Sequence, residues 1–158
     1  MTDLTHLDST GAARMVDVSQ KPASERFARA SGSITMAPQT LQAIRDNSLK
    51  KGDVLAVAKV AGIMAAKRTA ELIPLCHQLP LSNIDIDLTL DDSLPGVRAT
   101  ATVVTVASTG VEMEAIVAVS VSLITVYDMA KGVDKNMEIG EICLSEKRGG
   151  RSGHFVRT

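Results

Sequence analysis

Aromatic residues are nearly missing from this sequence. They make up 2% of its 158 residues, with no tryptophan, one tyrosine and two phenylalanines, although hydrophobic residues reach 45%. The core must therefore be built from aliphatic side chains, alanine and methionine, which bury less area per residue than aromatic rings do. A domain of this kind gains further burial by oligomerising. The length predicts a single domain over residues 1–158, with an irregular N-terminal arm over residues 1–29 and a basic, glycine-rich tail over residues 146–158.

Cysteine, net charge and long apolar runs are also scarce. The two cysteines, Cys76 and Cys143, have no metal-like spacing, so we expect neither a disulfide framework nor a metal site, and no cofactor. A net charge of −1 gives no global basic field that would attract nucleic acid or an anionic membrane. No uncharged run reaches transmembrane length and the polar start is not a signal peptide. We therefore expect a cytoplasmic protein without nucleic-acid or membrane partners.

Apolar periodicity and turn residues predict an ordered series of helices and strands. The predicted elements are a strand over 31–36, a helix from Pro38, a helix over 53–73, strands over 84–90 and 97–107, a helix over 111–131 and a strand over 137–145. Asp53 is placed to cap the second helix, because its carboxylate can accept hydrogen bonds from free amide groups. This order predicts an α+β fold of the ferredoxin-like split βαβ type, with helices on one face of an antiparallel sheet.

The segment ELIPLCHQLPL, residues 71–81, connects the helix over 53–73 to the next strand. Pro74 ends the helix and Pro80 restricts the far side, so Cys76 and His77 lie on a short, stiff connector. Such a connector is a rigid mounting for chemistry. On these residues alone, a buried cysteine and a hydrogen-bonded structural histidine are the favoured interpretation.

Charged residues lie at both ends of the helix over 111–131. Glu112 and Glu114 fall in its first turn, where carboxylates stabilise the helix dipole or can face a ligand. Asp128 and Lys131 are three residues apart in its last turn and are therefore neighbours on one face. An exposed pair of this kind contributes little energy. A partly buried pair can orient and tune a lysine for proton transfer.

Isolated charges elsewhere have both a structural and a functional interpretation. Lys51 precedes a helix start, which suits a structural lysine or one that faces a phosphate. Lys67 either complements a helix dipole or adds positive charge near His77. Asp17 is a solvated loop residue or an acid that the arm places in a site. Lys147 begins the tail KRGGRSG, which is either a phosphate clamp or a solvated terminus.

Five motifs resemble, in order and spacing, the MoaC family of cyclic pyranopterin monophosphate synthases, which act in molybdenum-cofactor biosynthesis. They are MVDVS, IPLCHQL, TGVEMEA, YDMAKG and KRGGRSG, and the resemblance runs from about Leu4 to the C-terminus. It implies a ferredoxin-like subunit assembled as a homohexamer, a trimer of dimers. It also implies a lyase whose substrate is the 3′,8-cyclised dihydro-GTP and whose products are cyclic pyranopterin monophosphate and pyrophosphate.

The resemblance assigns roles to individual positions. The implied catalytic residues are Asp128, Lys131 and Lys51. The implied substrate-binding residues are Leu75, Cys76, His77, Glu112, Met113, Glu114, Lys67, Asp17 and Lys147. The chain departs from the family pattern at Gln78 (usually proline), at Ala130 (often cysteine), at Gly132 (often alanine) and in KRGGRSG (usually KSGGKSG). The change at Gln78 bears on the stiffness of the His77 loop.

The two charged ends of one helix predict where the sites form. At about 1.5 Å rise per residue, Glu114 and Asp128 lie roughly 20 Å apart along it. A small substrate folded into a pocket spans less than that distance. We therefore expect active sites between subunits, with the glutamate end from one chain and the Asp128 and Lys131 end from its neighbour.

Two other classes of function remain to be compared with the enzyme. A nucleotide- or RNA-binding module on a ferredoxin-like sheet stacks bases on strand aromatics, whereas Phe27, Phe155 and Tyr127 all lie outside the predicted strands. A purely structural oligomer would not account for the Asp128 and Lys131 pair. Release of pyrophosphate from the cyclised substrate discriminates the enzyme from both.

Overall fold

The computed structural model describes residues 10–150 and 153–158. The elements are β1 (Ser24–Thr35), α1 (Pro38–Arg45), α2 (Val54–Ala66), α3 (Thr69–Leu72), β2 (Leu81–Asp91), β3 (Gly96–Ala107), α4 (Glu112–Ala130), β4 (Glu138–Arg148) and β5 (Phe155–Val156). Local signals fix several boundaries. Pro38 is the first residue of α1, and the Asp53 carboxylate accepts a hydrogen bond from the Ala56 amide at 2.9 Å, which caps α2.

The five strands form one antiparallel sheet in the order β2-β3-β1-β4-β5. The central strand β1 pairs with β3 along its whole length, from Ser24 opposite Ala107 to Thr35 opposite Gly96. Helix α4 packs on β1, β3 and β4, while α2 packs beside it and on β2. The predicted α+β ferredoxin-like fold, with split βαβ units and helices on one face of an antiparallel sheet, is confirmed.

The strands at both ends of the chain are longer than predicted. β1 begins at Ser24 rather than residue 31, so the irregular arm ends near residue 23. β4 continues to Arg148, and β5 lies within the predicted tail. The prediction failed because charged, hydroxyl and small residues occupy both faces of β1, so the sequence shows no apolar alternation before residue 31. That pattern looks polar until the helices cover one face of the strand.

The helix predicted over residues 53–73 is two helices. Arg68 leaves the helical region at φ −113° and ψ 15°, which separates α2 from α3. The buried Thr69 hydroxyl donates to the Ala66 carbonyl at 3.0 Å and so satisfies one of the carbonyl groups at the end of α2. The break turns the chain toward the connector that carries Cys76 and His77.

Close packing between α2 and α4 fixes the position of α4. A Cβ atom at Gly62 would overlap Ser122 Oγ and lie 2.9 Å from the Ala118 carbonyl oxygen. The Ser122 hydroxyl donates across the contact to the Ala58 carbonyl at 3.1 Å. Because α4 is held along its middle, both of its charged ends have defined positions.

Helix α4 is 19 residues long with a mean hydropathy of 1.6, enough by length and composition alone for a membrane span. In this fold it is a core helix, since its middle is covered by the sheet and α2. Its buried residues are Glu114, Ala115, Val117, Ala118, Val119, Ser122, Leu123, Val126 and Ala130.

Candidate active site

The first turn of α4 forms a wall between two neighbouring cavities. Glu112 and Glu114 belong to this turn, and the chain enters it through Ser108, Thr109 and Gly110. Glu112 Oε1 accepts a hydrogen bond from Lys147 Nζ at 2.8 Å, and both side chains are largely shielded from solvent. Glu114 is 4% exposed. The two glutamates thus differ: one is paired with a lysine, and the other is buried.

Burial sets the electrostatics around Glu114. It raises the pKa of the Glu114 carboxyl, and the neighbouring Glu112 charge raises it further, against a hydrogen bond to the backbone that lowers it. Burial also raises the pKa of the Cys76 thiol, with a second contribution from Glu114. Both shifts favour the protonated form more than an exposed group of the same type would.

The first cavity, which we call the loop cavity, has a volume of about 410 Å³. It lies between the first turn of α4, the connector and the N-terminal arm. Its lining includes six of the predicted substrate-binding residues. They are Leu75, Cys76, His77, Glu112, Met113 and Glu114. Val16 and Val18 of the arm and Leu79 give part of the lining an apolar character.

The second cavity, which we call the basic cavity, has a volume of about 580 Å³. Four cationic residues line it, with Glu112 as the acidic member: Lys21, Arg26, Lys147 and Arg148. Gly149 and Gly150 lie close to Arg26. Thr109 and Gly110 line both cavities. The arrangement is suited to a polyanion next to the loop cavity.

Arg26 is a cationic residue that sequence reasoning missed. It is 8% exposed, and its Nε and Nη2 atoms donate to the carbonyl oxygens of Ala107 at 3.0 Å and Ser108 at 3.3 Å. A Cβ atom at Gly150 would overlap its Nη1 atom. Arg26, like Ala28 and Ala30, is buried on the helix-covered face of β1, and these buried positions alternate with partly exposed ones. The late predicted start of β1 hid this alternation. Lys21 was missed because it lies in the irregular arm.

The predicted catalytic residues meet at the C-terminal end of α4. Asp128 Oδ2 accepts from Lys51 Nζ at 2.8 Å, and Oδ1 accepts from Lys131 Nζ at 2.7 Å. Lys51 Nζ also donates to the Asp128 carbonyl at 2.8 Å. The side chains are about half exposed, at 48% to 53%. The structure therefore brings the three predicted catalytic residues together, outside the loop and basic cavities.

The Asp128 carboxylate accepts hydrogen bonds from both lysines of this cluster. Hydrogen bonds from Lys131 and then Lys51 lower the pKa of Asp128 to about 2. The reciprocal hydrogen bond from Lys131 to Asp128 raises the pKa of Lys131. Asp128 is therefore an anion, and it favours the ammonium form of Lys131 at neutral pH.

Two of the predicted substrate-binding residues lie at the margin. Lys67 caps the C-terminal end of α2 and lines a narrow crevice with His77 and Glu114. Asp17 is exposed and its Oδ1 accepts from the Ser19 amide at 2.9 Å, which lowers the pKa of Asp17. Asp17 is not among the residues that line the loop or the basic cavity, although Val16 and Val18 line the first.

The sequence-based argument against base stacking rested on a wrong premise. Phe27 lies in β1 and Phe155 in β5, so strand aromatics are present. The guanidinium groups of Arg148 and Arg29 lie over the Phe27 ring, at 4.3 Å and 5.4 Å from its centroid. A base stacked on Phe27 would have to displace these cation–π contacts.

Comparison with known proteins gives a consistent result. The family model described as MoaC family matches residues 15–150. A cyclic pyranopterin monophosphate synthase of Methylobacterium sp. (strain 4-46) is 59% identical over 156 residues, 99% of this chain and 98% of the relative. Proteins with the same name are 57% identical in Dinoroseobacter shibae, over 98% of both chains, and 56% identical in Thermomicrobium roseum, over 99% of this chain and 95% of the relative. These similarities do not favour an RNA-binding module.

Proposed function

The chain belongs to the MoaC family, and from this premise we propose that it is a cyclic pyranopterin monophosphate synthase. It converts (8S)-3′,8-cyclo-7,8-dihydroguanosine 5′-triphosphate to cyclic pyranopterin monophosphate and releases pyrophosphate, as a lyase of molybdenum-cofactor biosynthesis. The observation that carries the proposal is the junction of two unlike cavities at Glu112, one partly apolar and one cationic. A guanine-derived ring joined to a triphosphate needs both environments.

The loop cavity takes the ring system. Leu75, Cys76, His77 and Met113 surround it, and the carboxylates of Glu112 and Glu114 accept hydrogen bonds from its donor edge. Lys67 adds positive charge at the crevice beside His77. Because Glu114 is buried, its contact with a ring donor is shielded from competing water.

The basic cavity takes the phosphates. Lys147, Arg26 and Lys21 neutralise them, and Lys147 exchanges Glu112 for a phosphate oxygen when substrate binds. Closing the cyclic phosphate expels pyrophosphate, and the charge that develops on the leaving group is stabilised by the same cations.

Lys51 and Lys131 move the protons that the ring rearrangement requires, with Asp128 holding both side chains in position. Bonds are rearranged without net oxidation, so the proposed reaction uses no redox cofactor. We place the enzyme in the cytoplasm, without a nucleic-acid or membrane partner.

Assembly completes the site in this proposal. Glu114 and Asp128 lie roughly 20 Å apart along one helix, too far for one small substrate. Val57, Val60 and Met64 of α2 are 43% to 56% exposed, and this apolar face is suited to a neighbouring subunit. We propose a homohexamer, a trimer of dimers, in which the Asp128 cluster of one chain faces the cavities of its neighbour. The exposed carboxylate of Asp17 is available to such a shared site.

The direct test is to incubate the purified protein with the cyclised dihydro-GTP and to measure pyrophosphate and cyclic pyranopterin monophosphate together. We expect the two products in equal amounts. A double variant, Lys51→Ala with Lys131→Ala, controls for contaminating phosphatases. Folded protein that releases neither product would reject the proposed function.

A further inference from the structure

A hydrogen bond links the His77 ring to the N-terminal arm. His77 Nε2 lies 2.8 Å from the Val16 carbonyl oxygen, between residues 61 positions apart in the sequence. A carbonyl oxygen only accepts, so Nε2 must carry the hydrogen. Both the neutral Nε2–H tautomer and the imidazolium satisfy this requirement.

A second hydrogen bond holds the arm five residues later. The Ser108 hydroxyl donates to the Lys21 carbonyl at 2.9 Å, and the Lys21 amide donates to the Val18 carbonyl at 3.0 Å. His77 lies on the connector and lines the loop cavity, whereas Ser108 lies on the turn before α4 and lines the basic cavity. The arm is therefore held by hydrogen bonds at Val16 and at Lys21, and Val16 and Val18 line the loop cavity.

We propose that His77 is a positioning residue, which anchors the arm so that Val16 and Val18 complete the apolar wall of the ring site. The effect on substrate rests on the proposed function, whereas the anchoring itself does not. The arm between residues 14 and 23 belongs to no helix or strand, so conformational entropy opposes its docking. Individual hydrogen bonds at its two anchors therefore decide how often it is docked.

Limited proteolysis reports arm docking without any substrate. The exposed Arg14 lies just before the His77 anchor, and the next basic residue, Lys21, precedes Pro22, where trypsin cleaves poorly. Cleavage after Arg14, followed by mass spectrometry of the intact protein, therefore measures release of the arm. His77→Leu removes the donor, and His77→Gln retains an N–H group at nearly the same reach.

We expect His77→Leu to increase cleavage after Arg14 roughly three- to tenfold, and His77→Gln to remain near wild type. Ser108→Ala loosens the other anchor without changing His77 and should increase cleavage as well. In the assay with the cyclised substrate, His77→Leu and Ser108→Ala should both raise KM while kcat changes less than about threefold. His77→Gln should restore KM.

Unchanged cleavage in a folded His77→Leu protein would contradict the proposal that His77 anchors the arm. Increased cleavage with an unchanged KM would contradict the proposal that the docked arm completes the apolar wall of the ring site. If KM is raised in His77→Leu and remains raised in His77→Gln, the His77 imidazole contacts the substrate directly, and the positioning role is rejected. If His77→Leu does not fold, His77→Asn, whose side chain is too short to reach Val16, takes its place. If the wild-type protein releases no pyrophosphate, the proposed function is rejected. The cleavage comparison still tests whether His77 anchors the arm.

Discussion

The two ends of α4 have opposite designs. At the N-terminal end, Glu114 is buried, burial raises its pKa, and formed cavities surround it. At the C-terminal end, Asp128 is half exposed, ion pairs lower its pKa to about 2, and two lysines share its carboxylate. One end is buried beside cavities, and the other is an open cluster of charges.

We propose that this difference separates substrate binding from chemistry. Shape, burial and fixed cations at the N-terminal end would act mainly on substrate binding and so appear in KM, with a smaller effect on kcat because the cations also stabilise the charge that develops on pyrophosphate. The proton transfers proposed for Lys51 and Lys131 would stabilise the transition state and so appear in kcat. Substitutions at the two ends should therefore change different kinetic constants.

The largest effect is expected at the C-terminal end. Lys51→Ala and Lys131→Ala should each lower kcat by about 10²- to 10⁴-fold, because each removes a group proposed to transfer a proton. Initial rates of pyrophosphate release measure this, with Lys50→Ala as a neighbouring control of the same charge. Near-normal turnover in either variant, with folding and oligomeric state unchanged, would remove that lysine from the mechanism.

The next effect is expected in the basic cavity. Lys147→Ala should raise KM by about 10- to 100-fold, since it removes a charge-assisted hydrogen bond to phosphate and leaves Glu112 without its partner at 2.8 Å. Its effect on kcat should be smaller. Lys135→Ala, on the exposed turn after α4, is the control. A fall in kcat at constant KM in Lys147→Ala would contradict the assignment of substrate binding to this end of α4.

The smallest effect concerns Glu114 and stability. Its pKa is raised in the folded chain, so stability is lost as the pH rises from the unfolded value of 4.5 through the folded pKa. Glu114→Gln cannot ionise and should raise the melting temperature at pH 7 by roughly 1–4 °C. Its advantage over wild type should shrink at pH 4. A melting temperature that is lower than wild type at both pH values would show that the carboxyl is stabilised by its surroundings rather than destabilised by burial.

Local chemistry explains how much of the fold was predictable. Pro38, the Asp53 cap and the alternation over residues 84–90 act through neighbours in sequence, and the structure confirms the elements they predicted. The start of β1 and the break at Arg68 depend on partners far along the chain, so periodicity missed both. Arg26 was missed for the same reason, because its carbonyl partners lie more than 80 residues away.

The candidate site divides in a similar way. Asp128 and Lys131 are neighbours by helical spacing alone, and the structure pairs them as predicted. Lys51 reaches the same carboxylate from 77 residues away, and spacing gave no indication of that contact. Family resemblance, rather than any physical pattern in the residues, implied a shared role for Lys51 and Lys131.

The central proposal is that the two ends of α4 meet across a subunit interface, and subunit mixing tests it most directly. Glu114→Ala and Lys131→Ala proteins are combined under conditions that exchange subunits, and pyrophosphate release is measured at a substrate concentration far below the raised KM of Glu114→Ala, where each variant alone should show little activity. Shared sites predict recovery to about one quarter of wild-type activity, because each end is intact in half of the chains. Absence of recovery, with subunit exchange demonstrated by mass spectrometry, would mean that each site is built within one chain and would contradict the proposal.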